Sequence, residues 1–133
     1  MLFSYKINKS AKEIFDYLTD MQKFKSVHPI IFKIDTLAEN EYHFFEKLTF
    51  GFITFNSDYY VKIDADSATN TVIMNAIVKK IIHIHLVFKI KEHEGYSIVN
   101  EEITFKSFLP VKQILSPIFI KQHKLLFENM EKV

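Results

Sequence analysis

The chain has 133 residues, 48% of them hydrophobic, which is enough for one domain with a sizeable core and predicts a single unit over residues 1–133. Its 17 basic and 16 acidic residues leave a net charge of +1, a balance that gives no support for a nucleic-acid or anionic-membrane partner. The absence of Cys excludes disulfides, thiolate nucleophiles and zinc–thiolate sites.

Leu2 to Asn8 alternates as a first strand. Ser10-Ala11-Lys12-Glu13 has the form of a capping box, in which the Ser10 hydroxyl accepts a backbone N–H and Glu13 reaches back. The helix that follows puts Ala11, Ile14, Phe15 and Leu18 on one face. Thr19-Asp20 breaks it and caps a short second helix over Met21 to Lys25, which His28-Pro29 ends because the residue before Pro avoids helical torsions. Ile30 to Leu37 is the second strand, Ala38 to Glu41 a turn, and Tyr42 to Phe50 the third strand; Gly51 marks a turn or bulge. Phe52 to Asp64 alternates most clearly, with Ile53, Phe55, Ser57, Tyr59, Val61 and Ile63 on one face.

After a polar loop over Ala65 to Asn70, Thr71 to Val78 and Ile82 to Lys91 form strands five and six. The turn between them lacks Gly, Pro and Asn, so its register stays open. Lys79, Lys80, His83, His85 and Lys89 interrupt this most apolar stretch, which argues against a membrane span and against stable membrane insertion. No signal-peptide pattern is evident at the N-terminus, and a cytoplasmic location is expected. Glu92 to Gly95 is a turn and Tyr96 to Ser107 the seventh strand.

Leu109 to Val133 reads as one long helix with Val111, Leu115, Ile118, Phe119, Leu126, Met130 and Val133 on an apolar stripe. Gln122 and Asn129 lie inside the stripe and His123 at its edge. Pro117 either starts this helix or kinks it. Such a helix needs a surface, since alone it gains little in water. An antiparallel meander with one apolar face supplies it. The predicted architecture is α+β: a seven-stranded curved antiparallel sheet wrapped around the long C-terminal helix, with two short helices between strands one and two.

The segment Ser10-Ala11-Lys12-Glu13-Ile14-Phe15-Asp16-Tyr17-Leu18-Thr19-Asp20, and the His28-Pro29 that leads into a strand, resemble the start of the polyketide cyclase/dehydrase and START-type lipid-binding superfamily. Gln122-His123, followed by Leu126-Phe127-Glu128-Asn129-Met130, resembles the last helix of its small bacterial members. The resemblance implies the helix-grip fold and a cavity between sheet and helix. It also implies either binding of a small apolar molecule (a lipid, polyketide or isoprenoid-like compound) or cyclase-, dehydrase- or hydratase-type catalysis. Fold by itself does not choose.

On that reading Phe44, Phe55, Leu86, Phe105, Ile118 and Leu126 supply the apolar walls of the cavity. Glu46, Tyr59, Glu101, Gln122 and His123 are its polar groups. A carboxylate facing an apolar interior is costly unless paired, hydrated or protonated, so Glu46 and Glu101 either orient a ligand or serve as acid and base, or else reach solvent or a Lys. His83 and His85 share a strand face without a third ligand, and no metal site is expected there. His28, His43 and His93 read as loop or exposed residues. No Gly-rich phosphate loop or hydrolase motif occurs, and no cofactor is expected. Ile73, Ile77, Ile81 and Val87 fall on the outer sheet face, as a homodimer patch or through a shifted register. A filled interior would instead leave an interaction module.

Overall fold

The computed structural model describes residues 1–50 and 52–133. In chain order the elements are β1 (Leu2–Ile7), α1 (Ala11–Thr19), α2 (Met21–Val27), β2 (Ile31–Ala38), β3 (Glu41–Phe50), β4 (Ile53–Asp66), β5 (Thr71–Val78), β6 (Ile82–His93), β7 (Tyr96–Lys106) and α3 (Lys112–Lys132). The strands form one antiparallel sheet in the order β1-β7-β6-β5-β4-β3-β2. β1 and β2, neighbours in sequence, therefore lie on opposite edges, and α1 and α2 bridge the sheet between them.

Local chemistry explains the helix ends. The Ser10 hydroxyl accepts the Glu13 amide at 3.2 Å and itself donates to Glu13 Oε1 at 3.1 Å, so the glutamate reaches the cap's side chain. Asp20 closes α1 and opens α2, its Oδ1 accepting from the amides of Gln22 and Lys23. α3 begins at Lys112 rather than Leu109, and Pro117 sits inside it, removing the amide that would bond the Gln113 carbonyl.

One sheet face is buried and the other is not. From β6, Ile84, Leu86, Phe88 and Ile90 point inward, matched by Val72, Met74 and Ala76 on β5 and by Val99 and Ile103 on β7. Against this face α3 lays His123, Leu126, Phe127 and Met130, a stripe of helical spacing confined to its C-terminal half. Phe127, absent from the predicted stripe, packs on Tyr5 at 4.5 Å between ring centroids. His123 is buried rather than at the edge of the stripe, and Val133 is exposed. Asn129 Nδ2 donates to the Val27 carbonyl at 2.9 Å and ties α3 to α2. Under the N-terminal half of α3 the packing is open, and the cavity described below lies there.

The register of β5 and β6 is settled by Ile77 opposite His83 and Val78 opposite Ile82. Lys79 and Lys80 turn the chain with φ of 56° and 63°, and the Ile81 amide donates to the Val78 carbonyl at 3.2 Å. Ile81 thus belongs to the turn, not to the outer sheet face. Ile73 and Val87 do face each other there, while Ile77 neighbours Tyr60 and His83. β4 pairs with β5 only from Tyr60 onward, so its first residues extend past β5 as a hairpin paired with β3 alone. Among the described residues no helix is long and apolar enough to cross a membrane.

Candidate functional site

Between the sheet and the N-terminal half of α3 lies a cavity of about 130 Å³. Its apolar wall comes from α2 (Phe24), β3 (Phe44), β5 (Met74, Ala76), β6 (Ile84, Leu86, Phe88) and α3 (Leu115, Phe119, Leu126). Its polar lining is Glu46, Ser57, Tyr59, His28, Gln122 and His123. Strand alternation places Glu46 between Phe44 and Leu48 and puts it opposite Ser57 on β4.

Glu46 and Tyr59 form one pair: the Tyr59 hydroxyl donates to Glu46 Oε2 at 3.0 Å. Burial pushes the Glu46 carboxyl up to about 7, outweighing the opposing pull of that hydrogen bond and of His123 nearby. The Tyr59 phenol is raised well above its usual range by burial and by Glu46. Glu46 therefore changes protonation near neutrality, inside an apolar chamber.

His123 and Glu101 form the other pair. His123 Nδ1 is hydrogen-bonded to Glu101 Oε2, and the Tyr5 hydroxyl donates to the remaining oxygen, Oε1, at 3.3 Å. Glu101 is fully buried and does not line the cavity; it stands behind His123. A carboxylate only accepts, so Nδ1 carries the proton in this bond. Nε2 is then the ring's acceptor when the imidazole is neutral. Phe88 and Phe119 flank the ring, at 6.0 Å and 5.3 Å between centroids.

His28 follows α2, and the Pro after it begins the turn into β2. Its Nδ1 accepts from the amides of Ile30 and Ile31 at 3.3 Å and 3.2 Å, which leaves the proton on Nε2. Burial, and then the neighbouring His123, hold its pKa down to about 3, so it is a neutral hydrogen-bond donor at ordinary pH.

Of the residues expected at the site, Phe44, Glu46, Tyr59, Leu86, Gln122, His123 and Leu126 are brought together on one cavity wall or another. Four are placed elsewhere. Phe55 stands on the extended β3–β4 hairpin, 44% exposed. Glu101 is sealed behind His123. Phe105 packs edge-on against Phe119 at 5.6 Å, outside the lining. Ile118 faces a separate groove of about 750 Å³ between α3 and the β2–β3 edge. That groove shares Ile31, Leu48 and Gln122 with the cavity. His28, read from the sequence as a loop or exposed residue, instead lines the cavity, with its Nδ1 held by the amides of Ile30 and Ile31. Tyr5 was missed because its role depends on β1 pairing with β7, a contact of high sequence separation.

No protein-family model matches the chain, and no curated protein sequence does. Solved structures do. A START superfamily protein from Mycobacterium smegmatis superposes with a TM-score of 0.79 at 14% identity, covering 99% of this chain and 97% of that one. The Zhui aromatase/cyclase from a Streptomyces species gives 0.73 at 8% identity, covering 99% and 90%. Norcoclaurine synthase from Thalictrum flavum gives 0.73 at 10%, covering 99% and 83%. The chain has the helix-grip fold shared by START and polyketide-cyclase proteins. At these identities the likeness establishes the fold alone.

Proposed function

We propose that the protein binds a small hydrophobic molecule between the sheet and α3, with one polar group held by Glu46, Tyr59, His28 and His123, and that it does so in the cytoplasm. The observation that carries this reading is the convergence on one apolar chamber of the Glu46–Tyr59 pair, of His123 held from behind by Glu101, and of the neutral His28. The chamber's volume, about 130 Å³, suits a single ring, since engineered apolar cavities of about 150 Å³ accept benzene. A larger lipid, polyketide or isoprenoid-like guest would extend past Gln122 into the groove along Ile118 and Leu125. A neutral carbonyl or hydroxyl suits the polar end, because an ionised group would have to give up its hydration inside a largely apolar chamber. Native mass spectrometry of freshly purified protein, followed by calorimetric titration with phenol, tests the reading. A co-purified small molecule or saturable phenol binding supports it; the absence of both refutes it.

A second reading, proton-transfer catalysis of the cyclase or dehydrase kind, is favoured by the Glu101–His123 pair. A buried carboxylate that holds Nδ1 leaves Nε2 poised to take a proton, and the Glu46 carboxyl is poised to give one. Glu101→Gln separates the two readings: ligand affinity retained with turnover lost assigns catalysis.

A further inference from the structure

The near-zero net charge hides a segregation that the fold makes visible. In an antiparallel meander successive turns alternate between the two ends of the sheet. The β3–β4 hairpin, the β5–β6 turn and the segment from β7 into α3 therefore share one end. Leu48, Val78, Ile82, Leu115 and Phe119 all line the same cavity, which confirms that these segments converge at its mouth. From 47 to 57, from 67 to 91 and from 103 to 127 the sequence has no Asp or Glu. The same stretches place Lys47, Lys79, Lys80, Lys106, Lys112 and Lys121 at this end, all exposed and none paired with a carboxylate among the described residues. The turns of the opposite end are flanked instead by Glu39 and Glu41, Asp64 and Asp66, and Glu92 and Glu94.

The lysine-rich end also carries large apolar side chains in water. Phe52 is 97% exposed and Phe108 98%, and Ile53, Ile81, Leu109 and Ile114 on the same segments are exposed as well. Single exposed hydrophobics are ordinary, but a set on segments of one end that also carry six unpaired lysines is not. The β5–β6 turn adds an independent observation. Lys79 and Lys80 both occupy left-handed torsions, where Asn-Gly is the strain-free choice, so two charges stand where local stability disfavours them.

We infer that the cavity mouth docks on an anionic lipid bilayer, with Phe52 and Phe108 entering the headgroup–acyl boundary and the surrounding lysines meeting lipid phosphates. This does not rest on the ligand proposed above. Protruding aromatic tips on separate segments, with lysines between them, match a deformable anionic interface. A folded protein partner would need a rigid socket for each tip. A second copy of this chain across a two-fold axis would bring like-charged lysine clusters face to face.

Co-sedimentation with vesicles of three parts phosphatidylcholine to one part phosphatidylglycerol tests the inference, with pure phosphatidylcholine for comparison. The wild-type chain should partition onto the anionic vesicles only, and less so as salt rises from about 0.1 M to about 0.5 M. Lys79→Glu with Lys80→Glu should weaken partitioning at least about tenfold. Phe52→Ser with Phe108→Ser should weaken it as well. Lys89→Glu with Lys91→Glu makes the same charge change away from the mouth and should have a much smaller effect. Lys79→Asn with Lys80→Gly should raise the melting temperature while lowering vesicle binding, a combination that general destabilisation does not produce. No anionic-vesicle binding by the wild type, or equal loss in the Lys89/Lys91 control, would overturn the docking surface. So would a wild-type dimer, without vesicles, that the mouth substitutions dissolve.

Discussion

His123 on α3 hydrogen-bonds through Nδ1 to Glu101 on β7, and the pair is almost closed to water, with Glu101 fully buried and His123 5% exposed. It fastens the terminal helix to β7, the strand beside the β1 edge of the sheet, and it engages one nitrogen of an imidazole that lines the cavity.

Removing one member should therefore cost more than a surface ion pair. Glu101→Ala leaves His123 Nδ1 and the Tyr5 hydroxyl without their acceptor, and a loss of about 3–5 kcal/mol is expected. Urea unfolding of Glu101→Ala, His123→Ala and the double variant gives the coupling. A double variant that merely adds the two single losses would show that the residues do not act together.

Stability should depend on pH through Glu46. Its folded pKa, about 7, lies above its ordinary value of 4.5, so the folded state holds the proton more tightly. Stability is then greatest below about 4.5 in this contribution and is lost as pH rises through about 7. Glu46→Gln should abolish the loss and be more stable than wild type at about pH 8 by about 1–3 kcal/mol, partial exposure reducing the full effect. His28 acts in the opposite sense. Its folded pKa of about 3 lies below 6.5, so its contribution is present at neutral pH and lost as pH falls toward 3. Denaturation curves across this range, with each variant, separate the two groups.

Filling the chamber should remove binding without unfolding the protein. Ala76 lines the cavity on β5, and Ala76→Leu projects three more carbons into the space. Phenol binding should disappear, with a stability change within about 1–3 kcal/mol of wild type. Unaltered phenol affinity would place the ligand elsewhere, with the groove beside Ile118 the first place to look.

The outer face carries a proposal of self-association through Ile73, Val87 and Ile77. If these form an interface, Ile77→Lys should shift gel-filtration elution toward a smaller species at equal concentration. Identical elution of the variant and the wild type would dismiss it.

Much of this protein is determined by short-range chemistry. The Ser10 and Asp20 caps, the alternation along β4, β6 and β7, and the helical periodicity of Leu126 and Met130 all act within a few residues, and the topology of a hairpin meander under a terminal helix follows from them. Tertiary structure alone decided what the inward polar groups do. In the strand pattern Glu46 and Glu101 look equivalent, each between apolar neighbours facing the core. Where α3 crosses the sheet makes one a cavity wall beside Tyr59 and buries the other behind His123, because a side chain's environment is set by what lies over it and not by its own strand. The same holds for charge: a near-balanced sum of lysines and carboxylates says nothing of where they stand until alternating turns carry them to opposite ends of the sheet.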